Sequence, residues 1–290
     1  LKGNPGRCAR GGPVEEMGQN CFKQKRAVVD AEVEEAEPEY DRDKSEVVRA
    51  ILIASDYAQT DTPLDCVRFN GVQMQQLVQR SGVTEVYTLF QNDITKRKIT
   101  DTLQSVGSQC GPDDTLFIYF LGHGDYQDDQ DGDEADGQDE VLCLVGEDPS
   151  QWDYMSDDEW SELITSSVPA ETRILIVTDC CHSGSMADMA RPCWKGREVI
   201  NITGCADDQT SMDTGSGSFM TNCLIKAIGN FESEGTTDYS VAQLYNAMLT
   251  VFDEDVRPSL ESMGLNQSIG IECPADFNYN MMPWPLVPKQ

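Results

Sequence analysis

Positive charge is what this 290-residue chain most lacks: 21 Lys and Arg stand against 51 Asp and Glu, a formal net charge of −30. Such a surface repels phosphate backbones and anionic lipid headgroups, and it attracts cations and basic polypeptides. Binding to nucleic acid or to a membrane is therefore not expected. No apolar run approaches the ~20 residues that span a bilayer. No apolar h-region follows Leu1-Lys2-Gly3-Asn4-Pro5, so a signal peptide is not expected here either. Histidine is scarce, with two residues, and no Cys-x-x-Cys pair occurs among the eleven cysteines. Both facts argue against a structural zinc site. An odd cysteine count without a secretory signal reads as reduced thiols in the cytoplasm. The sequons at Asn201 and Asn266 are discounted on the same ground.

What is present organises into two parts. Residues 1–46 are polar and irregular, with a basic patch (Lys23, Lys25, Arg26) ahead of an acidic run from Glu32 to Asp43. This reads as a flexible or surface-draped leader, or else as a regulatory segment lying over an active site. From there the pattern is regular, and the 39% hydrophobic content suffices for a core. Strands are expected at 50–54, 83–90, 115–120, 173–178, 199–203 and 268–272. Helices are expected at 65–81, 94–107, 156–166, 218–231 and 240–252. Strands alternating with helices predict an α/β three-layer sandwich, with a mostly parallel central sheet flanked by helices.

One stretch stands apart. No Lys or Arg occurs from residue 99 to residue 172, and Asp128 to Glu140 holds eight acids in thirteen residues. The plain reading is a solvated acidic loop. The sharper reading is a calcium site, because hard cations prefer several carboxylates on one loop. The loop is not an EF-hand, since no register supplies its sixth-position Gly together with the flanking Asp residues.

Chemistry concentrates at two strand ends. In open parallel sheets, sites form outside the carboxyl ends of the strands. The third strand ends in Phe120-Leu-Gly-His-Gly124 and the 173–178 strand in Asp179-Cys-Cys-His-Ser-Gly184. Were these strands parallel neighbours, His123 and the cysteine pair would emerge at one edge. Nucleophilic catalysis needs that arrangement: a thiol, an imidazole in reach, and backbone N–H groups for an oxyanion. The glycines beside His123 let a substrate backbone approach closely. A helix starting after Cys181 is expected to lower the thiol pKa through its N-terminal partial charge. A lone His is often structural and buried Cys are common, but here both histidines sit at these two ends. His182 is a poor base for Cys181, because adjacent side chains diverge.

The pair Tyr119-Phe-Leu-Gly-His-Gly124 and Asp179-Cys-Cys-His-Ser-Gly184 resembles the metacaspases, caspase-like peptidases of the caspase–hemoglobinase fold. Asp131-Gly-Asp-Glu-Ala-Asp-Gly-Gln-Asp-Glu140 resembles the family's acidic loop. Thr203-Gly-Cys-Ala-Asp-Asp-Gln-Thr-Ser211 resembles the start of its small-subunit region. The resemblance covers roughly residues 48–275. It implies a large-subunit region at 47–197 and a small-subunit region at 198–290 within one fold. It implies His123 as general acid/base, Cys181 as nucleophile with Cys180 a bystander, and the backbone N–H groups of Gly124 and Cys181 as oxyanion donors. Asp179 matches an acid of the family's S1 pocket, which implies cleavage after Arg or Lys, and a carboxylate facing guanidinium is a sound pairing. Family calcium ligands match Asp139, Asp157, Asp158 and Asp188, so Ca2+ is expected to order these loops as an activation switch rather than to take part in the chemistry. Protein or peptide substrates with a basic residue at the cleavage point and a monomeric state follow from the same resemblance.

Three departures accompany it. Leu121 stands where the family has a small polar residue. The family's Asn-Asp pair in the first helix is replaced in Leu64-Asp-Cys-Val-Arg-Phe-Asn70, so a second S1 acid is missing unless Asp65 or Asn70 compensates. Neither a long linker between the subunit regions nor a proline-rich leader is present. Self-cleavage at Lys195-Gly-Arg197 or in the Lys23–Arg26 patch, and a redox role for Cys143, Cys180 or Cys205, are further expectations. The competing reading is a non-catalytic, caspase-like calcium-binding or scaffold protein.

Overall fold

Six segments pair into one sheet: β1 (Val48–Ala54), β2 (Glu85–Phe90), β3 (Thr115–Leu121), β7 (Arg173–Asp179), β8 (Val199–Thr203) and β9 (Gly270–Glu272). A computed structural model gives their order as β2-β1-β3-β7-β8-β9. It describes residues 46–64, 67–130, 132, 137–206, 209 and 217–289. The described residues fall within one compact unit, Asp41–Gln290. The basic patch of the expected leader lies outside the described residues.

The first five strands of that order are mutually parallel, and β9 closes the edge antiparallel. Their apolar runs are near-continuous because both faces are covered. Phe117, Tyr119, Leu121, Leu175 and Val177 face a layer of α1 (Val67–Arg80), α4 (Phe219–Glu234), α5 (Val241–Val251) and α6 (Arg257–Met263). The alternate residues Leu116, Ile118, Phe120, Ile174 and Ile176 face α2 (Lys96–Gly107) and α3 (Asp157–Ser167). Each such side chain contributes about 1.5–3 kcal/mol by leaving water. Polar residues set the helix starts. Thr95 accepts from the Lys98 N–H, and Ser156 and Ser240 form capping boxes with Glu159 and Gln243. Each cap is worth about 1 kcal/mol.

The structure adds to one expectation and corrects two. The segment between β3 and β7 holds strands on either side of the acidic stretch. It carries an antiparallel sheet of β4 (Gly124–Asp128), β5 (Gln138–Val145) and β6 (Trp152–Ser156), in the order β4-β5-β6. Val141-Leu-Cys-Leu-Val145 is a buried run that drives it, whereas β4 is mostly exposed and offers no apolar alternation. The last helical region runs on past residue 252, through a π-helical segment Phe252–Val256 into α6. Pro258 sits in the first turn of α6, where its missing N–H has no partner to lose. Finally, no α-helix follows Cys181. Turns lead from there to a 3-10 turn at Pro192–Trp194. His182 (φ 52°) and Asp188 (φ 27°) are left-handed, and such residues interrupt a right-handed helix.

Asn201 is fully buried in β8 and accepts from Thr178 Oγ1 at 2.9 Å, so its sequon has no room for a glycan. No described helix is long and apolar enough to cross a membrane.

Candidate active site

The strand order reverses at β1, with β2 on one side and β3 on the other, and α/β sheets place their sites at such switch points. Next to it, β3 and β7 are direct parallel neighbours with Leu121 opposite Asp179. Gly122 N–H adds one more rung to the Asp179 carbonyl at 3.3 Å. His123 and Cys181 therefore each emerge two residues beyond the same rung. The next contact is closer still. A Cβ on Gly124 would stand 2.0 Å from the Cys181 carbonyl oxygen and 2.9 Å from Cys180 Sγ. Only a residue without Cβ lets β4 start against the nucleophile turn.

The loop after β1 holds the imidazole. His123 Nε2 lies 2.7 Å from the Thr62 carbonyl. A carbonyl only accepts, so Nε2 carries the proton and Nδ1 of the neutral ring is left basic. His123 N–H donates to Tyr57 Oη at 3.0 Å, and the two rings lie 4.8 Å apart. Tyr57 in turn donates to the Cys143 carbonyl at 2.7 Å, and Cys143 N–H donates to the His123 carbonyl at 3.0 Å. Burial pushes the Tyr57 phenol well above its usual range, so it stays a neutral donor. Gly122 is needed here too, because a Cβ would reach within 2.3 Å of Tyr57 Oη. Trp152 closes the cluster, 5.7 Å from the imidazole. Sequence reasoning missed Tyr57 and Thr62. The available signal was their place just beyond the carboxyl end of a strand.

The cysteine pair divides sharply. Cys180 is buried in the core, and burial pushes its thiol well above the ordinary cysteine value. Cys181 is half-buried, and so within reach of solvent. Burial also lifts Cys143 to about 12 and Cys205 to about 11. His182 packs its ring on Tyr126 at 5.1 Å.

Asp179 is 1% exposed and accepts from Ser218 Oγ and, at 2.6 Å, from Thr221 Oγ1. Ser218 caps α4, so the carboxylate faces the positive end of that helix dipole. Asn70 supports the same wall: its Oδ1 accepts from Ser218 N–H at 2.7 Å and its Nδ2 donates to Asn222 at 3.1 Å. Ser218 and Thr221 had no sequence signal beyond that of a helix cap. Leu121 is buried among the core residues of the Asp179 rung. Asp65 lies outside the described residues.

The four expected calcium ligands fall on three segments: Asp139 in β5, Asp157 and Asp158 in the first turn of α3, and Asp188 in the turn after Cys181. The pairing of Val141 with Ser156 brings Asp139 beside the start of α3. Glu140 accepts from Ser185 Oγ at 2.6 Å and ties the nucleophile turn to β5. Asp139 and Asp157 are buried, and Arg191 forms an ion pair with Asp158. The donor set is all carboxylate oxygen, which suits a hard cation. Among the described residues, no three or more His, Cys, Asp or Glu are already arranged to hold a metal ion.

Of the expected self-cleavage points, Lys195 is exposed. Arg197 instead donates to the carbonyls of Thr165 (2.8 Å), Val168 (3.0 Å) and Pro169 (3.2 Å) at the end of α3. The Lys23–Arg26 patch lies outside the described residues.

Comparison with known proteins bears on this arrangement. Residues 48–190 match the model of the metacaspase peptidase C14 domain. Metacaspase-2 of Arabidopsis thaliana is 30% identical over 253 residues, covering 74% of this chain and 60% of that protein. Metacaspase-1 of the same plant is 33% identical over 184 residues, covering 54% and 48%. The chain thus spans about half the length of the curated relatives it matches. Among solved structures, a Geobacter sulfurreducens protein superposes with TM-score 0.59 at 19% identity, over 81% of this chain and 97% of that one. Caspase-1 from Spodoptera frugiperda superposes with TM-score 0.56 at 14% identity, over 82% and 94%. These two likenesses show the caspase-like fold. Matching family model, relatives and fold agree: the chain is similar to the metacaspases and has a caspase-like fold.

Proposed function

We propose that this chain is a cysteine endopeptidase that cleaves after Arg or Lys and is activated by calcium. The observation that carries the reading is the β3–β7 register, which delivers His123 and Cys181 to one edge two residues beyond a shared rung. His123 takes the thiol proton, and Cys181 Sγ adds to the scissile carbonyl. The N–H groups of Gly124 and Cys181 receive the oxyanion. His123 then gives its proton to the leaving amine, and water hydrolyses the thioester through the same base.

Asp179 supports the basic preference. Its buried carboxylate is held by hydroxyls and a helix N-terminus. A substrate guanidinium or ammonium would add the full counter-charge that such a group favours. Calcium would be held by Asp139, Asp157, Asp158 and Asp188, and it would supply fixed positive charge that orders the nucleophile turn. Asp158 would exchange its Arg191 partner for the ion. A cytoplasmic setting belongs to the same reading, in which Cys181 works as a reduced thiol. The protein acts as a monomer in this reading.

The deciding assay is hydrolysis of an Arg-ending reporter peptide, with calcium and with chelator, by the intact chain and by Cys181→Ala. The expected result is calcium-dependent turnover that Cys181→Ala abolishes. Turnover that survives Cys181→Ala overturns the dyad. Turnover indifferent to chelation overturns the calcium switch alone. No turnover together with tight calcium binding favours the non-catalytic reading, in which the buried Leu121 and the missing S1 acid mark a lost pocket.

A further inference from the structure

Strand β4 leaves His123 directly, and its exposed side chains have no part in the chemistry described above. Residues 124, 126 and 128 share one face of a strand. That face is fixed by Gly124, whose Cβ direction points at the Cys181 carbonyl. Tyr126 therefore rises beside the nucleophile turn, and its ring meets the ring of His182 edge-on at 5.1 Å and 90°. Tyr126 is nonetheless 48% exposed. His182 is held left-handed, with its N–H donating to the Gln209 carbonyl at 3.3 Å. Such a conformation persists only where the surroundings impose it. Asp128, two residues on along the same face, is exposed as well.

The position of this wall relative to a substrate follows from the chemistry. The leaving amine must approach His123 to be protonated, so the chain beyond the scissile bond runs out on the His123 side. That side continues into β4. Asp179, Ser218 and Asn70 lie under the other half of the substrate.

We propose that Tyr126, His182 and Asp128 form a subsite for a Lys or Arg side chain within two residues after the cleaved bond. The proposal rests on the peptidase reading for the direction of the substrate. An aromatic face attracts a cation, and the aliphatic stem of Lys or Arg covers a ring while its head stays in water. Alternate residues on a strand are ~7 Å apart, so a side chain lying across Tyr126 brings its charge to Asp128. A Glu side chain at the same place meets the Asp128 carboxylate without compensation.

The test separates binding from turnover. Affinity is measured on Cys181→Ala protein with peptides carrying Arg at the cleavage point, followed by Lys-Lys or by Glu-Glu. The Lys-Lys peptide is expected to bind about 10-fold more tightly, as a cation–π contact and an ion pair together would give. Adding Tyr126→Ala or Asp128→Asn should each cut that ratio about threefold, the size of one such contact. Adding Asp101→Asn, a remote surface acid on α2, should leave the ratio alone and so remove bulk charge as the cause. A ratio near one, or a ratio that neither Tyr126→Ala nor Asp128→Asn moves, overturns the subsite. Turnover by the unmodified chain, assayed separately, tests the peptidase reading.

Discussion

Tyr57 accepts the backbone N–H of His123 at 3.0 Å while its ring stacks 4.8 Å from the imidazole. The residues are 66 positions apart in sequence, and the loop after β1 is what brings them together. The phenol also ties His123 to Cys143 in β5, so one side chain links the main sheet to the antiparallel one. Removing the hydroxyl leaves a buried N–H and a buried carbonyl short of a partner, a loss of about 1–3 kcal/mol. Tyr57→Phe keeps the ring and is expected to lower kcat about tenfold, the equivalent of ~1.4 kcal/mol, with little change in KM. Steady-state kinetics on the reporter peptide check this. An equal fall for Tyr57→Leu and Tyr57→Phe would show that the ring contributes nothing.

Gly124→Ala tests the contact between β4 and the nucleophile turn. The added methyl would need the space 2.0 Å from the Cys181 carbonyl, so β4 or the turn must shift. The expected outcome is a folded protein with activity reduced at least about 100-fold, since small misplacements of reacting groups carry losses of that size. Near-normal turnover with an unchanged melting curve would show that the contact is dispensable.

Thiol labelling should single out one member of the cysteine pair. Cys180, Cys143 and Cys205 are buried with raised pKa values, so they stay protonated near neutral pH, and the thiolate is the reactive form. A short iodoacetamide pulse at neutral pH, followed by fragment mass spectrometry, should place the label on Cys181 and leave Cys180 free. Label on Cys180 would contradict its burial.

At the opposite edge of the sheet, Arg49 and Asp114 form a partly buried ion pair at 2.7 Å. Burial alone would raise the Asp114 carboxyl, but the N–H groups of Gly111 and Val47 and the Arg49 guanidinium hold it below the ordinary 3.8. A depressed carboxylate contributes stability that is present above its unfolded pKa and lost as pH falls through its folded one. Asp114→Asn should therefore destabilise at pH 7, by about 1.5 kcal/mol if one charged hydrogen bond is lost. That difference should shrink as pH drops below 3.8. Urea melts at several pH values measure it, and a gap independent of pH would refute the charge origin.

Self-cleavage, if it occurs in the 195–197 turn, should fall after Lys195 and not after Arg197. The guanidinium of Arg197 closes the end of α3 through three carbonyls and must abandon them to enter an S1 pocket. N-terminal sequencing after calcium addition reads the new terminus. A terminus at Glu198 would show that the α3 end opens readily.

Sequence alone determined the sheet and the chemistry of its two exits. Near-continuous apolar runs such as Thr115-Leu-Phe-Ile-Tyr-Phe120 have one stable home, between two covered faces, and helix caps such as Ser156 are local signals. His123 and Cys181 were legible because scarce, reactive residue types stand directly beyond such runs. Only the tertiary structure decided the rest. It made β3 and β7 neighbours, set Tyr57 and Thr62 against His123, and put Ser218 and Thr221 on Asp179. It also put turns where a helix was expected after Cys181 and paired the strands that flank the acidic stretch. The contacts of Tyr57, Thr62, Ser218 and Thr221 join residues tens of positions apart, and such contacts leave no periodicity in the local sequence.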